Sequence, residues 1–169
     1  MIEQYIRDVP DFPKAGIVYK DITPLLKSPE GLAESVEGLA ALVDPDSYDL
    51  ICGIESRGFI FGTALAHHVK KGFAPIRKPG KLPWKTVSQS YELEYGTDTI
   101  EIHTDAAEQD TRVLMVDDLL ATGGTMEAAV QLVRAIGAKP VACAFVIELA
   151  FLSGRERMTD VPVHSLLAV

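Results

Sequence analysis

Val113-Leu114-Met115-Val116-Asp117-Asp118-Leu119-Leu120-Ala121-Thr122-Gly123-Gly124-Thr125 is the stretch on which the reading of this chain turns. Residues 113–116 are an unbroken apolar run. That pattern predicts a strand buried on both faces, as in a parallel sheet. Met126, Ala129, Val130, Val133 and Ile136 recur at helical spacing, so a helix is expected to pack back on that sheet. Between strand and helix, Thr122, Gly123, Gly124 and Thr125 offer backbone N–H groups at a helix N-terminus without bulky side chains in the way. That arrangement binds phosphate. Asp117 and Asp118 fall beside it, where two carboxylates can accept hydrogen bonds from vicinal hydroxyls. A phosphate cradle next to a diol clamp points to a ribose 5-phosphate.

Strand-like and helix-like segments alternate outward from this stretch. Downstream, residues 141–147 read as a strand running into Glu148, residues 151–158 as a short helix carrying Arg155 and Arg157, and residues 163–169 as a last strand. Upstream, Tyr91, Leu93 and Tyr95 alternate with Glu92 and Glu94, Gly96 turns the chain, and Ile100 and Ile102 alternate with Glu101 and His103. This is a β-hairpin, with Ser90, Glu92 and Glu94 sharing one face. On spacing alone those carboxylates read as a solvated face. Before the hairpin, residues 77–85 place Arg77, Lys78, Lys81 and Lys85 among prolines and a glycine, the one concentrated positive run in the chain. Such a run is either a solvated loop or a mobile lid that brings cations to a polyphosphate, and the phosphate-type loops elsewhere favour the lid. Strands are expected at 50–54 and 73–76. The first ends in Glu55-Ser56-Arg57-Gly58 and a helix through Phe61, Ala64, Leu65 and His68. A helix through Leu32, Val36, Leu39, Ala40 and Val43 precedes it. Residues 2–9 suggest a short amphipathic helix. In residues 10–24 three prolines and a glycine argue against a regular element, yet Phe12, Ile17, Val18, Tyr19 and Ile22 keep the segment apolar. It is either a cover over the core or a flap over a flat aromatic ligand, with Tyr19 as a stacking face. The alternation predicts an α/β fold with a mostly parallel central sheet flanked by helices and a ligand at the carboxyl ends of the strands.

The 169 residues, 47% hydrophobic and 24% charged, favour one ordinary globular domain over residues 1–169. A formal net charge of −8 argues against a general nucleic-acid binder, which needs a basic face. Cys52 and Cys143 lie in separate apolar runs and are expected to be buried free thiols. The first ten residues carry charges and no apolar core, unlike a signal peptide, and no apolar run is long enough to span a bilayer. The expected location is cytoplasmic. The chain contains no G-x-x-x-x-G-K-[ST], no strand followed by G-x-G-x-x-G and no G-x-S-x-G. His67, His68, His103 and His164 have no metal-site spacing.

The run 116–125, a hydrophobic strand end, two acids and T-G-G-T, resembles the 5-phosphoribosyl-1-pyrophosphate motif of type I phosphoribosyltransferases. Segments Asp11-Phe12-Pro13, Gly16-Ile17, Lys20-Asp21-Ile22-Thr23-Pro24, Glu55-Ser56-Arg57-Gly58-Phe59, Arg77-Lys78-Pro79-Gly80-Lys81-Leu82-Pro83 and Tyr91-Glu92-Leu93-Glu94-Tyr95-Gly96 extend the likeness over nearly the whole chain, toward the adenine phosphoribosyltransferases. The resemblance implies a type I phosphoribosyltransferase fold with an N-terminal hood over roughly residues 1–30 and a flexible lid loop and hairpin over roughly 77–103. It implies transfer of phosphoribosyl from 5-phospho-α-D-ribose 1-diphosphate to adenine, giving AMP and diphosphate, with Mg²⁺ held mainly through the diphosphate and no metal site of the protein's own. It also implies a homodimer that engages neither nucleic acid nor membrane. On matching positions, Ala121, Thr122, Gly123, Gly124 and Thr125 would hold the 5′-phosphate, and Asp117 and Asp118 the ribose hydroxyls. Ser56 and Arg57 would meet the diphosphate, after a cis peptide between Glu55 and Ser56. Arg77, Lys78 and Lys81 resemble diphosphate cations, some reaching across the dimer. Glu94 resembles the carboxylate that assists proton transfer at N7 of the base, with Tyr95 beside it among the substrate contacts. Val18 and Lys20 would give backbone contacts to adenine, and Tyr19 and Leu119 its stacking faces. Two rival readings are a regulator that kept the fold as a ligand sensor and a phosphoribosyltransferase for another base. The absence of a basic helix or an added domain speaks against the first.

Overall fold

The computed structural model describes residues 1–93 and 95–169, so Glu94 lies outside the described residues. In chain order, a 3-10 turn at Ile2–Tyr5 leads into β1 (Arg7–Pro10), β2 (Val18–Asp21), α1 (Thr23–Lys27) and α2 (Pro29–Leu42). A 3-10 turn at Pro45–Ser47 precedes β3 (Leu50–Ile54), α3 (Arg57–Val69) and β4 (Gly72–Ile76). Then come β5 (Thr86–Glu92), β6 (Thr97–His103), β7 (Arg112–Leu120), α4 (Gly124–Ala135), β8 (Lys139–Glu148) and β9 (Val163–Ala168).

Five strands form one sheet in the order β4-β3-β7-β8-β9, every neighbouring pair parallel. The β3–α3–β4 and β7–α4–β8 units are helical crossovers of the expected α/β kind, and β7 is the central strand. Its residues Val113, Leu114, Met115 and Val116 have no exposed surface, as a strand covered on both faces requires. On one face, Leu39, Phe61 and Leu65 of α2 and α3 pack with Ile51, Leu114 and Val116. On the other, Met126, Ala129, Val130 and Val133 of α4 pack with Val113, Met115 and Phe145, and the β5–β6 hairpin adds Ile100 and Ile102 to that core. Burial pushes the Cys52 and Cys143 thiols up to about 12, which leaves both inert and bears out their reading as buried free thiols.

Four sequence expectations change. Residues 2–9 make one 3-10 turn and then a strand instead of a helix. Residues 10–24, expected to lack regular structure, supply β2 and the start of α1. The cause is a cross-strand charge pattern invisible to helical periodicity. In the β1–β2 ladder Arg7 faces Asp21 and Asp8 faces Lys20, with ion pairs at 2.6 and 2.7 Å. The prolines do not interrupt it: Pro10 ends β1, and Pro13 lies in the connecting loop, where Asp11 caps the Gly16 N–H at 2.8 Å. Third, β7 does not stop at Val116 but carries both acids through to Leu120, because β8 continues beside it: Asp117 pairs with Phe145 and Leu120 with Glu148. Fourth, residues 151–158 form two 3-10 turns, Ala150–Leu152 and Gly154–Arg157, separated by Ser153 in left-handed geometry at φ 52°. A left-handed residue ends an α-helix.

Among the described residues, no helix is long and apolar enough to cross a membrane.

Candidate active site

The carboxyl ends of β3 and β7 part company beyond their last paired residues. β3 pairs with β7 only as far as Gly53 opposite Val116, so Asp117, Asp118 and Leu119 run on beyond it. A cavity of about 270 Å³ opens there, lined by Ile54, Glu55, Ser56 and Arg57 on one wall, Asp117, Asp118, Leu119 and Thr125 on another, and Lys78, Tyr91 and Ile100 from the basic loop and hairpin. A smaller hollow of about 90 Å³ adjoins it, formed by the 120–123 loop with Thr125, Met126 and Phe145. The first turns of α3 and α4 both open onto this region, and their unpaired N–H groups favour anions.

Gly58 lets α3 start this close to β7. A Cβ there would stand 2.8 Å from the Asp117 carboxylate and 3.1 Å from the Val116 carbonyl. The peptide joining Glu55 to Ser56 is cis, as the sequence resemblance implies.

The polar groups of the cavity are already engaged with one another. Arg57 donates from Nε to Asp118 at 2.5 Å and from a terminal nitrogen to the Tyr19 hydroxyl at 3.0 Å. Burial is the largest single effect and works against the guanidinium charge, but the Asp118 bond together with the charges of Asp118, Tyr19 and Asp117 outweighs it, so Arg57 holds its proton more tightly than usual. Glu55 accepts from the Lys78 backbone N–H at 2.7 Å and from Arg77 Nε at 3.3 Å, which fixes the entrance of the basic loop. Reciprocal backbone bonds between Arg77 and Glu101, at 3.0 and 2.7 Å, tie that entrance to β6.

Asp117 is held differently from its neighbour. Burial, and then the charge of Asp118, raise its carboxyl well above the ordinary aspartate range. A carboxyl whose folded value is raised favours folding least when ionised. Its cost sets in as pH climbs above the unfolded value near 3.8 and is complete once pH exceeds the folded value. Asp117→Asn keeps the oxygen that accepts the Asp118 N–H at 2.9 Å and removes that cost. The expected outcome is a higher Tm than wild type near pH 7 and a gap that closes toward pH 4, read by thermal unfolding across that range. A gap independent of pH would refute the assignment.

The site residues inferred from sequence fall into three groups. Ser56, Arg57, Lys78, Asp117, Asp118, Leu119 and Thr125 line the large cavity, and Ala121, Thr122 and Gly123 line the adjoining hollow. Gly124 opens α4 beneath Tyr91. Tyr19 reaches the cavity through Arg57 and meets Phe12 edge-to-face at 5.2 Å. The remainder stand apart from the cavity wall. Val18 is exposed, the Lys20 ammonium is bound to Asp8, Arg77 turns to Glu55 and the Phe59 ring, Lys81 is at the loop surface, and Tyr95 is fully displayed at the hairpin turn. Sequence reasoning gave no role to Tyr91, Ile100 or Asp98. Tyr91 carried a signal, an aromatic residue on the hairpin face opposite Ser90 and Glu92. Asp98 carried none.

The sequence model of the phosphoribosyl transferase domain matches residues 21–165. An adenine phosphoribosyltransferase of Koribacter versatilis is 54% identical over 166 residues, covering 98% of this chain and 91% of that protein. The chain belongs to the adenine phosphoribosyltransferase family. The crystal structure of the family member from Thermoanaerobacter pseudethanolicus superposes with a TM-score of 0.96 at 49% identity, covering 99% of this chain and 98% of that one. The Saccharomyces cerevisiae member, solved with an imino-altritol bisphosphate and adenine, superposes with a TM-score of 0.89 at 37% identity over 96% of this chain and 94% of its own. The five-stranded parallel sheet flanked by helices is therefore the type I phosphoribosyltransferase fold, as the motif at 116–125 implied.

Proposed function

We propose that this chain transfers the 5-phosphoribosyl group of 5-phospho-α-D-ribose 1-diphosphate to adenine, releasing diphosphate and AMP. The observation that carries the reading is the joining, in one cavity, of an anion-binding helix start, a carboxylate pair and cations from two other loops, in a member of the adenine phosphoribosyltransferase family.

The 121–125 loop receives the 5′-phosphate on its backbone N–H groups, and Asp117 and Asp118 accept from the ribose hydroxyls. Anchoring both ends of the ribose aligns C1 for attack. Positive charge builds on the ring as negative charge builds on the departing diphosphate, and Ser56, Arg57 and Lys78 meet the latter. The oxygen donors around the cavity, Asp117, Asp118, Ser56 and Thr125, suit a hard divalent cation. Such an ion would take most of its ligands from diphosphate and water. Bound Mg²⁺ supplies charge neutralisation at the leaving group. Tyr19 and Leu119 give the base its two flat faces, and Val18 and Lys20 present backbone to its edge, so the Lys20 side chain is free to pair with Asp8. The hood over residues 1–30 and the lid over 77–103 exclude water, which would otherwise hydrolyse the activated sugar. Arg77 and Lys81 stand outside the cavity of their own chain. That supports a homodimer in which they serve the partner's site. The enzyme works on small molecules in the cytoplasm.

The deciding assay is AMP formation from radiolabelled adenine, with hypoxanthine, guanine and orotate as competitors. AMP formed and unaffected by the competitors is the expected result. Transfer to a competitor in preference to adenine would replace the substrate. Glu94 is assigned the proton transfer at N7. Glu94→Ala is expected to lower kcat about 10²-fold with adenine binding and Tm held. An unaltered kcat would remove Glu94 from the chemistry.

A further inference from the structure

Tyr91 and Asp98 have no place in the reaction as described, yet they connect its two phosphate ends. They sit directly opposite each other in the β5–β6 ladder. Asp98 Oδ2 forms an ion pair with the Lys78 ammonium and accepts the Tyr91 hydroxyl proton at 3.3 Å. Tyr91 in turn accepts from the Thr125 hydroxyl at 3.2 Å. The result is a continuous polar chain from the first turn of α4 to the basic loop.

The placement of the members gives the chain a direction. Lys78, Tyr91 and Thr125 line the cavity, whereas Asp98 stands behind Lys78. The bond to Lys78, ahead of a smaller opposing effect of burial, holds the Asp98 carboxyl below its ordinary range, so it stays an ionised acceptor. A lysine is a point charge on a flexible four-carbon stem, and ordering it for a ligand costs rotamer entropy. A carboxylate behind the stem takes one of three ammonium donors and leaves two for a ligand.

We infer that Asp98 is a positioning residue for the phosphoribosyl donor, holding the Lys78 ammonium at the cavity wall, and that Tyr91 fixes this pair to the 5′-phosphate loop through Thr125. The inference rests on the function proposed above and assigns residues to its donor side. It sets Asp98 apart from a counter-charge that the incoming diphosphate must displace.

Steady-state kinetics on the full chain test it. Asp98→Asn is expected to raise the KM for 5-phospho-α-D-ribose 1-diphosphate about 10-fold, and Tyr91→Phe about 3-fold, each leaving the adenine KM unchanged. In a Lys78→Met background, Asp98→Asn is expected to add nothing, because Asp98 acts only through Lys78. A donor KM that is unchanged or lowered in Asp98→Asn overturns the inference, as does an undiminished effect in the Lys78→Met background. Calorimetry with inorganic diphosphate separates this result from failure of the proposed function. If wild type binds diphosphate but forms no AMP, the transferase reading fails, while about 10-fold weaker diphosphate binding by Asp98→Asn still supports the positioning role.

Discussion

Asp118→Asn is expected to lower kcat/KM for the phosphoribosyl donor about 10²- to 10³-fold. Asp118 is 5% exposed and bonds Arg57 at 2.5 Å. Asparagine keeps the shape and one acceptor but leaves the guanidinium without its counter-charge. Removing one partner of a buried pair costs about 3 to 5 kcal/mol. Arg57 is about two-fifths exposed at its side chain, and solvent screening brings the figure toward about 2 to 3 kcal/mol. The change also takes a charged acceptor from the ribose diol, which is where the activity is lost. Arg57 would remain held by Tyr19 alone, so the diphosphate contact loosens as well. Kinetics with the donor varied, and with ribose 5-phosphate as a competitive ligand, read both effects. A variant within about fivefold of wild type would eliminate the diol clamp and leave Asp118 a structural partner of Arg57.

Gly123→Ala is expected to raise the donor KM at least about 10²-fold and to lower Tm by several degrees. Two costs combine. Gly123 sits at φ 87°, where an L side chain costs about 1 to 2 kcal/mol. Its new Cβ would also stand 2.4 Å from the Gly154 carbonyl oxygen, with the Gly154 carbon atoms at 3.1 and 3.2 Å. These are backbone atoms, and the turn that carries them is anchored. Arg155 holds the buried Glu148 at 2.7 and 2.5 Å, and Ser165 holds it at 2.8 Å. Neither side of the contact can yield without shifting the N–H groups that face the phosphate. Gly80→Ala is the control: its φ is 79°, but nothing lies within 4 Å of the added carbon. It should lose only the conformational part of the stability and far less donor affinity than Gly123→Ala. Equal donor affinity in Gly123→Ala and Gly80→Ala would refute the loop's role.

Legibility followed the range of the interactions. Core strands and helices were readable because each residue's burial repeats along the chain with its own period: 113–116 as a doubly covered strand, Met126 to Val133 as an inward helix face. Where the elements are marginal, local pattern misled. The β1–β2 hairpin depends on Arg7 meeting Asp21 and Lys20 meeting Asp8, pairs fourteen and twelve residues apart, and no window of helical periodicity contains that information. The turns at 150–157 depend on Gly154 packing against Ala121 and Gly123, across a strand and a helix.

The sequence by itself determined the α/β architecture, the phosphate loop after the central strand and the paired acids beside it. These are consequences of composition and spacing within about fifteen residues. Only the tertiary structure decided how the cations are arranged. Arg57 belongs to Asp118, Arg77 to Glu55 and Lys78 to Asp98. Each pairing joins segments twenty or more residues apart that parallel crossovers and a folded-over hairpin bring to one rim. A cation's partner is set by which carboxylate the fold brings beside it, and that is a property of the packed chain.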